Sequence, residues 1–135
     1  MTSIAFDSDV IIFSANPHHA AGARVAALFG DPALDGLRFG STLLLPETLI
    51  KPVRYEIQEE RETLLGNVAY LELIAPDVRV AMLAVQLGAR YALRTPDAVH
   101  LATAVHAGAD TFLTNNRKDF PSDIAEIRIL HPENL

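Results

Sequence analysis

Residues 94–120 read RTPDAVHLATAVHAGADTFLTNNRKDF. Thr95, Pro96 and Asp97 have the form of a helix start: a cap, a proline at the first position and an acid in the first turn. Ala98, Leu101, Ala102 and Val105 recur at helical spacing and form a buried stripe, which Gly108 ends. Thr111 to Thr114 then reads as a short apolar core strand. A helix running straight into a buried strand is one arm of a parallel crossover unit.

The same pattern extends outward. Ser3 to Asp7 is a first strand, and Ala20 to Phe29 places Val25, Leu28 and Phe29 on one helical face. Asp31 to Gly40, with Pro32, Gly36 and Gly40, reads as a loop. Thr42 to Leu45 is expected to be a second strand, buried on both faces. Pro46 suits the first position of a helix, and Pro52 should kink that helix or restart it. Glu60 to Ile74 and Asp77 to Tyr91 read as two further helices separated by Pro76. Leu64, Leu65 and Val68 on one, with Val80, Leu83 and Tyr91 on the other, are core or dimer contacts. Ile127 to Leu130 is a fourth strand. This order predicts an α/β fold: a three-layer α/β/α sandwich around a short, mainly parallel sheet, with residues 1–135 forming one domain.

Composition narrows the class. The chain has 135 residues, half of them hydrophobic and 21% charged, which is globular rather than disordered composition. It has no cysteine, so disulfides and thiolate metal sites are excluded, which suits a reducing cytoplasm. The opening MTSIAFDSDVIIF meets aspartates at once and reads as a core strand rather than a signal peptide; no apolar run is long enough for a membrane span. A protein that grips nucleic acid through its overall field should be basic, and this one carries a net charge of −6. Either nucleic acid is not its ligand, or the contact is local and aided by cations.

Ligands of open α/β sheets bind beyond the carboxyl ends of the strands. Asp7 and Asp9 follow the first strand, Glu47 the second, and Thr114, Asn115, Asn116 and Asp119 the third. Asp97 joins them if its helix runs antiparallel to the strands. Singly, each acid has an ordinary explanation as a turn or helix-start residue. Together they would repel one another unless a cation lies between them. Hard, oxygen-seeking Mg²⁺ or Mn²⁺ suits such a set, and these ions activate water and stabilise charge on phosphoryl oxygens. His100 and His106 lack the spacing of a zinc motif, though a base or ligand role for them is conceivable; His18 and His19 are expected to be exposed.

Three blocks, FDSDVII at 6–12, LLLPETL at 43–49 and residues 94–120, resemble those of the PIN-domain ribonucleases, in particular the VapC-type toxins of toxin–antitoxin pairs. The resemblance spans almost the whole chain. It implies metal-dependent endonuclease cleavage of RNA, a small antitoxin partner and a homodimer. Carried over residue by residue, it makes Asp7, Glu47 and Asp97 the core Mg²⁺ or Mn²⁺ ligands. Many members have an aspartate two positions after the threonine, where this chain has Asn116; Asp119 then takes the fourth role, with Asn116 helping. Asp9 is a supporting acid, Thr114 orients a ligand or the phosphate, and Arg117 and Lys118 are candidate RNA-backbone contacts or a solvated turn.

Two rival classes use the same residues. A haloacid-dehalogenase-type phosphatase would take Asp7 as nucleophile and Asp9 as acid, but it expects a threonine where Ile11 stands. A signalling receiver needs a lysine after a late strand, and IRIL is followed by His131 and Pro132. A degenerate relative that binds metal or RNA without turnover is consistent with Asn116.

Overall fold

The computed structural model describes residues 2–16 and 18–135. Among these, five strands and six α-helices alternate along the chain. Strand β1 (Ile4–Phe6) leads through α1 (Ser8–Ser14) and α2 (Ala20–Phe29) to β2 (Arg38–Ser41). Helices α3 (Leu44–Arg54) and α4 (Gln58–Val68) precede β3 (Glu72–Ile74). Helices α5 (Val78–Tyr91) and α6 (Thr95–His106) then lead to β4 (Thr111–Leu113) and β5 (Arg128–Leu130).

The sheet order is β3-β2-β1-β4-β5, and every pairing is parallel. Side chains alternate across a strand, so consecutive residues feed opposite layers. Ile4, Phe6 and Leu113 pack with Val10 and Ile11 of α1, Val25 and Phe29 of α2, Leu44 of α3 and Leu64 of α4. Ala5, Phe112 and Ile129 pack on the other face with Val80 and Leu87 of α5 and Leu101 of α6. The expected three-layer α/β/α sandwich is therefore present.

The second strand lies earlier than the sequence suggested. It is Arg38–Ser41, inside the stretch read as a loop, while Leu44 opens α3. A run of four apolar residues does not distinguish a buried strand from one buried helical turn. The true strand was disguised by a charge and a glycine. Arg38 is buried because its guanidinium binds backbone carbonyls at the end of α2. Gly40 packs closely under Leu44, where a Cβ would lie 2.4 Å from Leu44 Cδ1 and would force that side chain to shift.

Other boundaries also shift. Pro46 is the third residue of α3, not its first, and Pro52 lies inside the helix, which ends two residues later; α4 restarts at Gln58. The helix expected over Glu60–Ile74 stops at Val68, and Glu72–Ile74 forms the edge strand β3. Leu65 is exposed rather than core, whereas Leu64, Val68 and Val80 are buried. Helix α6 is capped by Arg94 without a side-chain bond, so Thr95 is its first residue and not its cap. Past its end, Gly108 adopts φ +73°, as the stop signal required.

Candidate active site

Parallel strands present their carboxyl ends on one edge of the sheet, and the helices that return to the next strand start or end there. Asp7 sits at the end of β1 and caps α1, its Oδ1 accepting from Ser8 N at 2.8 Å. Its other oxygen, Oδ2, accepts from Thr114 Oγ1 at 2.7 Å, which joins β1 to the residue after β4. Thr114 Oγ1 in turn accepts from Asn116 N at 3.1 Å. Asp9, in the first turn of α1, accepts from Asn115 N at 3.1 Å. One backbone loop, 114–116, thus clamps both aspartates.

Asp119 is fixed by the same loop. Asn116 Nδ2 donates to Asp119 Oδ2 at 2.9 Å, and Asp119 N donates to Asn116 Oδ1 at 3.1 Å. Asn116 and Asp119 are thus held together by two hydrogen bonds. Asp97 occupies the first turn of α6, with the exposed Arg94 guanidinium 3.7 Å away. Glu47 occupies the first turn of α3 and contacts His100 Nε2 of α6.

The electrostatics join these groups into one cluster. Burial pushes the Asp7 carboxyl above its ordinary value, against the opposing pull of Thr114, and Asp97 adds to the rise. Burial, followed by the neighbouring Asp7, raises Asp9 to about 7. Asp97 is raised too, first by burial, with Asp119 and Glu47 contributing repulsion against the pull of Arg94. Asp97 thus shares an electrostatic field with Asp7, Glu47 and Asp119. Two buried oxygens, Asp9 Oδ1 and Asp97 Oδ2, have no hydrogen-bond partner.

An unpartnered buried carboxylate oxygen beside further carboxylates is a place where a cation lowers the energy. The donors are carboxylate oxygens, which suits a hard divalent ion. Among the described residues, no three His, Asp or Glu side chains are disposed to hold an ion as they stand. The acids share an edge and a field but have not closed into a ligand set.

The basic and histidine residues divide. Arg117 is ion-paired with Glu133, and Lys118 is exposed. His106 lies exposed in the last turn of α6, away from the acids at its start. His19 is half-buried, contrary to expectation: it caps α2 and stacks on Phe13 with ring centroids 4.3 Å apart. His18 is exposed. The sequence reading missed the pairing of His100 with Glu47 and left His100 as an unassigned base or ligand. The signal present was positional: His100 stands one turn after Asp97 on the same helix.

The fold and this acid-lined edge define a parallel α/β sandwich with a carboxylate cluster at the strand ends. The PIN domain family model matches residues 4–125, and the chain belongs to that family. No curated protein matches it in sequence. Among solved structures, a toxin–antitoxin complex from Klebsiella pneumoniae is similar with a TM-score of 0.75 at 22% identity, covering 98% of this chain and 100% of that one. VapBC2 from Rickettsia felis, bound to a DNA fragment from its promoter, gives 0.73 at 16% identity over 96% and 98% of the two chains. DNA-bound VapBC from Salmonella typhimurium gives 0.71 at 21% identity over 98% and 99%. At these identities the likeness is one of fold.

Proposed function

We propose that the chain is a Mg²⁺- or Mn²⁺-dependent endoribonuclease of the VapC type, the toxin of a toxin–antitoxin pair, working as one nuclease domain in the cytoplasm. The observation that carries the reading is the shared field of Asp7, Glu47, Asp97 and Asp119 at the carboxyl edge of the sheet, with Asp97 Oδ2 buried and without a hydrogen bond. These four side chains would hold the metal, with Asp9 as a supporting acid. When bound, such an ion supplies an activated water at neutral pH and stabilises charge on the phosphoryl group.

The chain's own residues supply position. Thr114 fixes one oxygen of Asp7 and Ser8 N the other, so this carboxylate is preset. Asn116 presets Asp119 in the same way. Lys118 beside the cluster offers a charge to the RNA backbone, and Arg117 does so once released from Glu133. These local cations answer the problem posed by the acidic overall charge.

Two partners follow from the same reading. The toxin–antitoxin assemblies among the structural neighbours support a cognate antitoxin. Exposed Val78, Met82 and Val85 on one side of α5 give an apolar stripe suited to a homodimer. No helix among the described residues is long and apolar enough to cross a membrane.

The test is cleavage of a total-RNA pool by purified protein with end mapping, with and without EDTA. Mapped cuts that vanish with EDTA and in Asp7→Asn and Asp97→Asn support the proposal; equal cutting by those variants sinks it. The non-cleaving alternative rests on Asn116, which stands where many family members have an acid. It predicts Mn²⁺ binding with no turnover at any metal concentration. Family membership argues against the phosphatase reading of Asp7 and Asp9.

A further inference from the structure

We infer that His100 is a positioning residue for Glu47: its buried imidazole engages one carboxylate oxygen and thereby fixes the acid carried by α3 against those carried by β1 and α6. This deepens the metal-site reading above and rests on it.

The two residues come from separate helices, 53 positions apart in sequence, and meet at the edge where the acids gather. The His100 side chain is 1% exposed, whereas that of Glu47 is 32% exposed. The ring is thus fixed by packing, while the carboxylate rests at the boundary with solvent. A glutamate has three side-chain torsions, and half-exposed it samples many rotamers unless something holds it. The contact through Glu47 Oε1 leaves Oε2 as the oxygen available to a ligand.

A purely structural role accounts poorly for this histidine. Its Nδ1 is buried without a hydrogen-bond partner, so the ring makes one polar contact and leaves its second nitrogen unsatisfied. That arrangement costs stability relative to an apolar residue of similar volume. The neighbours on α6, Leu101 and Ala102, are buried apolar residues, so a leucine would suit the surroundings. What an apolar residue would lose is the hold on Glu47. His100 also lies one turn from Asp97 on α6, so it stands beside the acid cluster while touching one member. Partners of this kind, which hold a metal-binding carboxylate from behind, commonly change metal affinity by about 10–100-fold when removed.

The experiment measures Mn²⁺ affinity of the metal-free full chain by calorimetry, without RNA, alongside thermal unfolding. His100→Leu removes the donor and keeps the volume. His100→Gln places an amide N–H near the position of Nε2, and His100→Asn keeps polarity but is too short to reach. The expected result is affinity lowered about 10-fold or more in His100→Leu and His100→Asn. His100→Gln should recover to within about 3-fold of wild type. In a Glu47→Gln background, His100→Leu should add no further loss. Wild-type affinity in His100→Leu, or a glutamine variant as weak as the asparagine one, overturns the inference. Because the Gln and Asn variants suffice, the comparison survives a leucine variant that fails to fold. Asp97→Asn separates the two failures. If it binds Mn²⁺ as tightly as wild type, the metal reading itself is lost. If it weakens binding while His100→Leu does not, only the role of His100 is lost.

Discussion

Thr114 Oγ1 donates to Asp7 Oδ2 across 2.7 Å, tying the residue after β4 to the residue that ends β1. Both side chains are buried, and the same hydroxyl accepts from Asn116 N. Thr114→Val keeps the shape and removes both bonds. A hydrogen bond to a buried acid is worth about 1.5–3 kcal/mol, so urea unfolding should show a loss of that order, largely restored by Thr114→Ser. RNA cleavage should fall at least about 10-fold in the valine variant, in line with the loss of a ligand's hydrogen-bonded support. Unchanged stability and cleavage would show that the bond does no more than close a turn.

Asn116 and Asp119 form a reciprocal pair, each donating once to the other. Asp119→Asn should abolish most cleavage, because it removes a ligand charge from the field around Asp97, yet it keeps an oxygen that can accept from Asn116 Nδ2. Asn116→Ala should act through Asp119 and reduce cleavage by roughly 10-fold. If Asn116 were itself the fourth ligand, the ranking would invert, with Asn116→Ala the more damaging. Initial rates under saturating Mg²⁺ decide between the two.

Much of this arrangement was legible in the sequence where side-chain chemistry and periodicity agree. The stretch from Thr95 to Thr114 announced a helix, a glycine stop and a strand, and each is present within a residue or so. Strand β2 was not legible, because Arg38 and Gly40 are made acceptable only by contacts from α2, α3 and Leu71. Strand β3 is a three-residue edge with an exposed Glu72, too short to show alternation. Helix α1 was hidden by its own cap: Asp7 reads as a strand end, and the seven residues that follow are too few for a clear helical period. Among the acids, position along the chain located the cluster, and Asn116 beside Asp119 is a local contact the sequence suggested; the partners of the others (Thr114 for Asp7, His100 for Glu47) are tertiary contacts. For Thr114, its place after β4 and the family resemblance hinted at a role but not at its partner Asp7.

The acid cluster should make the metal-free protein more stable at low pH than at high pH. Burial raises Asp7, Asp9 and Asp97, and Asp9 moves from an ordinary 3.8 to about 7. A carboxyl raised in the folded state holds its proton more tightly than in the unfolded chain. Its contribution is complete below about 4 and is lost as pH climbs through about 7. EDTA-treated protein should therefore melt at a higher temperature at pH 5 than at pH 8. Asp9→Asn should raise the pH 8 melting temperature by about 3–6 °C and flatten the slope between the two. Added Mn²⁺ should stabilise more at pH 8 than at pH 5, because protons and metal compete for the same oxygens. A metal-free melting temperature that rises from pH 5 to pH 8 contradicts this account of the cluster.

Arg38 offers a test of the fold independent of the active edge. Its guanidinium is buried in β2 and donates to Leu28 O at 2.8 and 3.0 Å, to Phe29 O at 3.2 Å and to Asp31 O at 2.6 Å. These include carbonyls left free at the C-terminal end of α2, where the helix dipole favours a cation. The carboxylate partner, Asp35, is 75% exposed at 3.3 Å, so the carbonyls rather than the ion pair hold the charge. Arg38→Met should cost about 3 kcal/mol or more, since it strands several buried carbonyls at once. Arg38→Lys should recover little, because one ammonium does not reproduce the fork of donors. Asp35→Ala should cost less than about 1 kcal/mol, as expected of an exposed pair. Urea denaturation of the three variants gives the ranking, and an Asp35→Ala loss equal to that of Arg38→Met would assign the stabilisation to the ion pair instead.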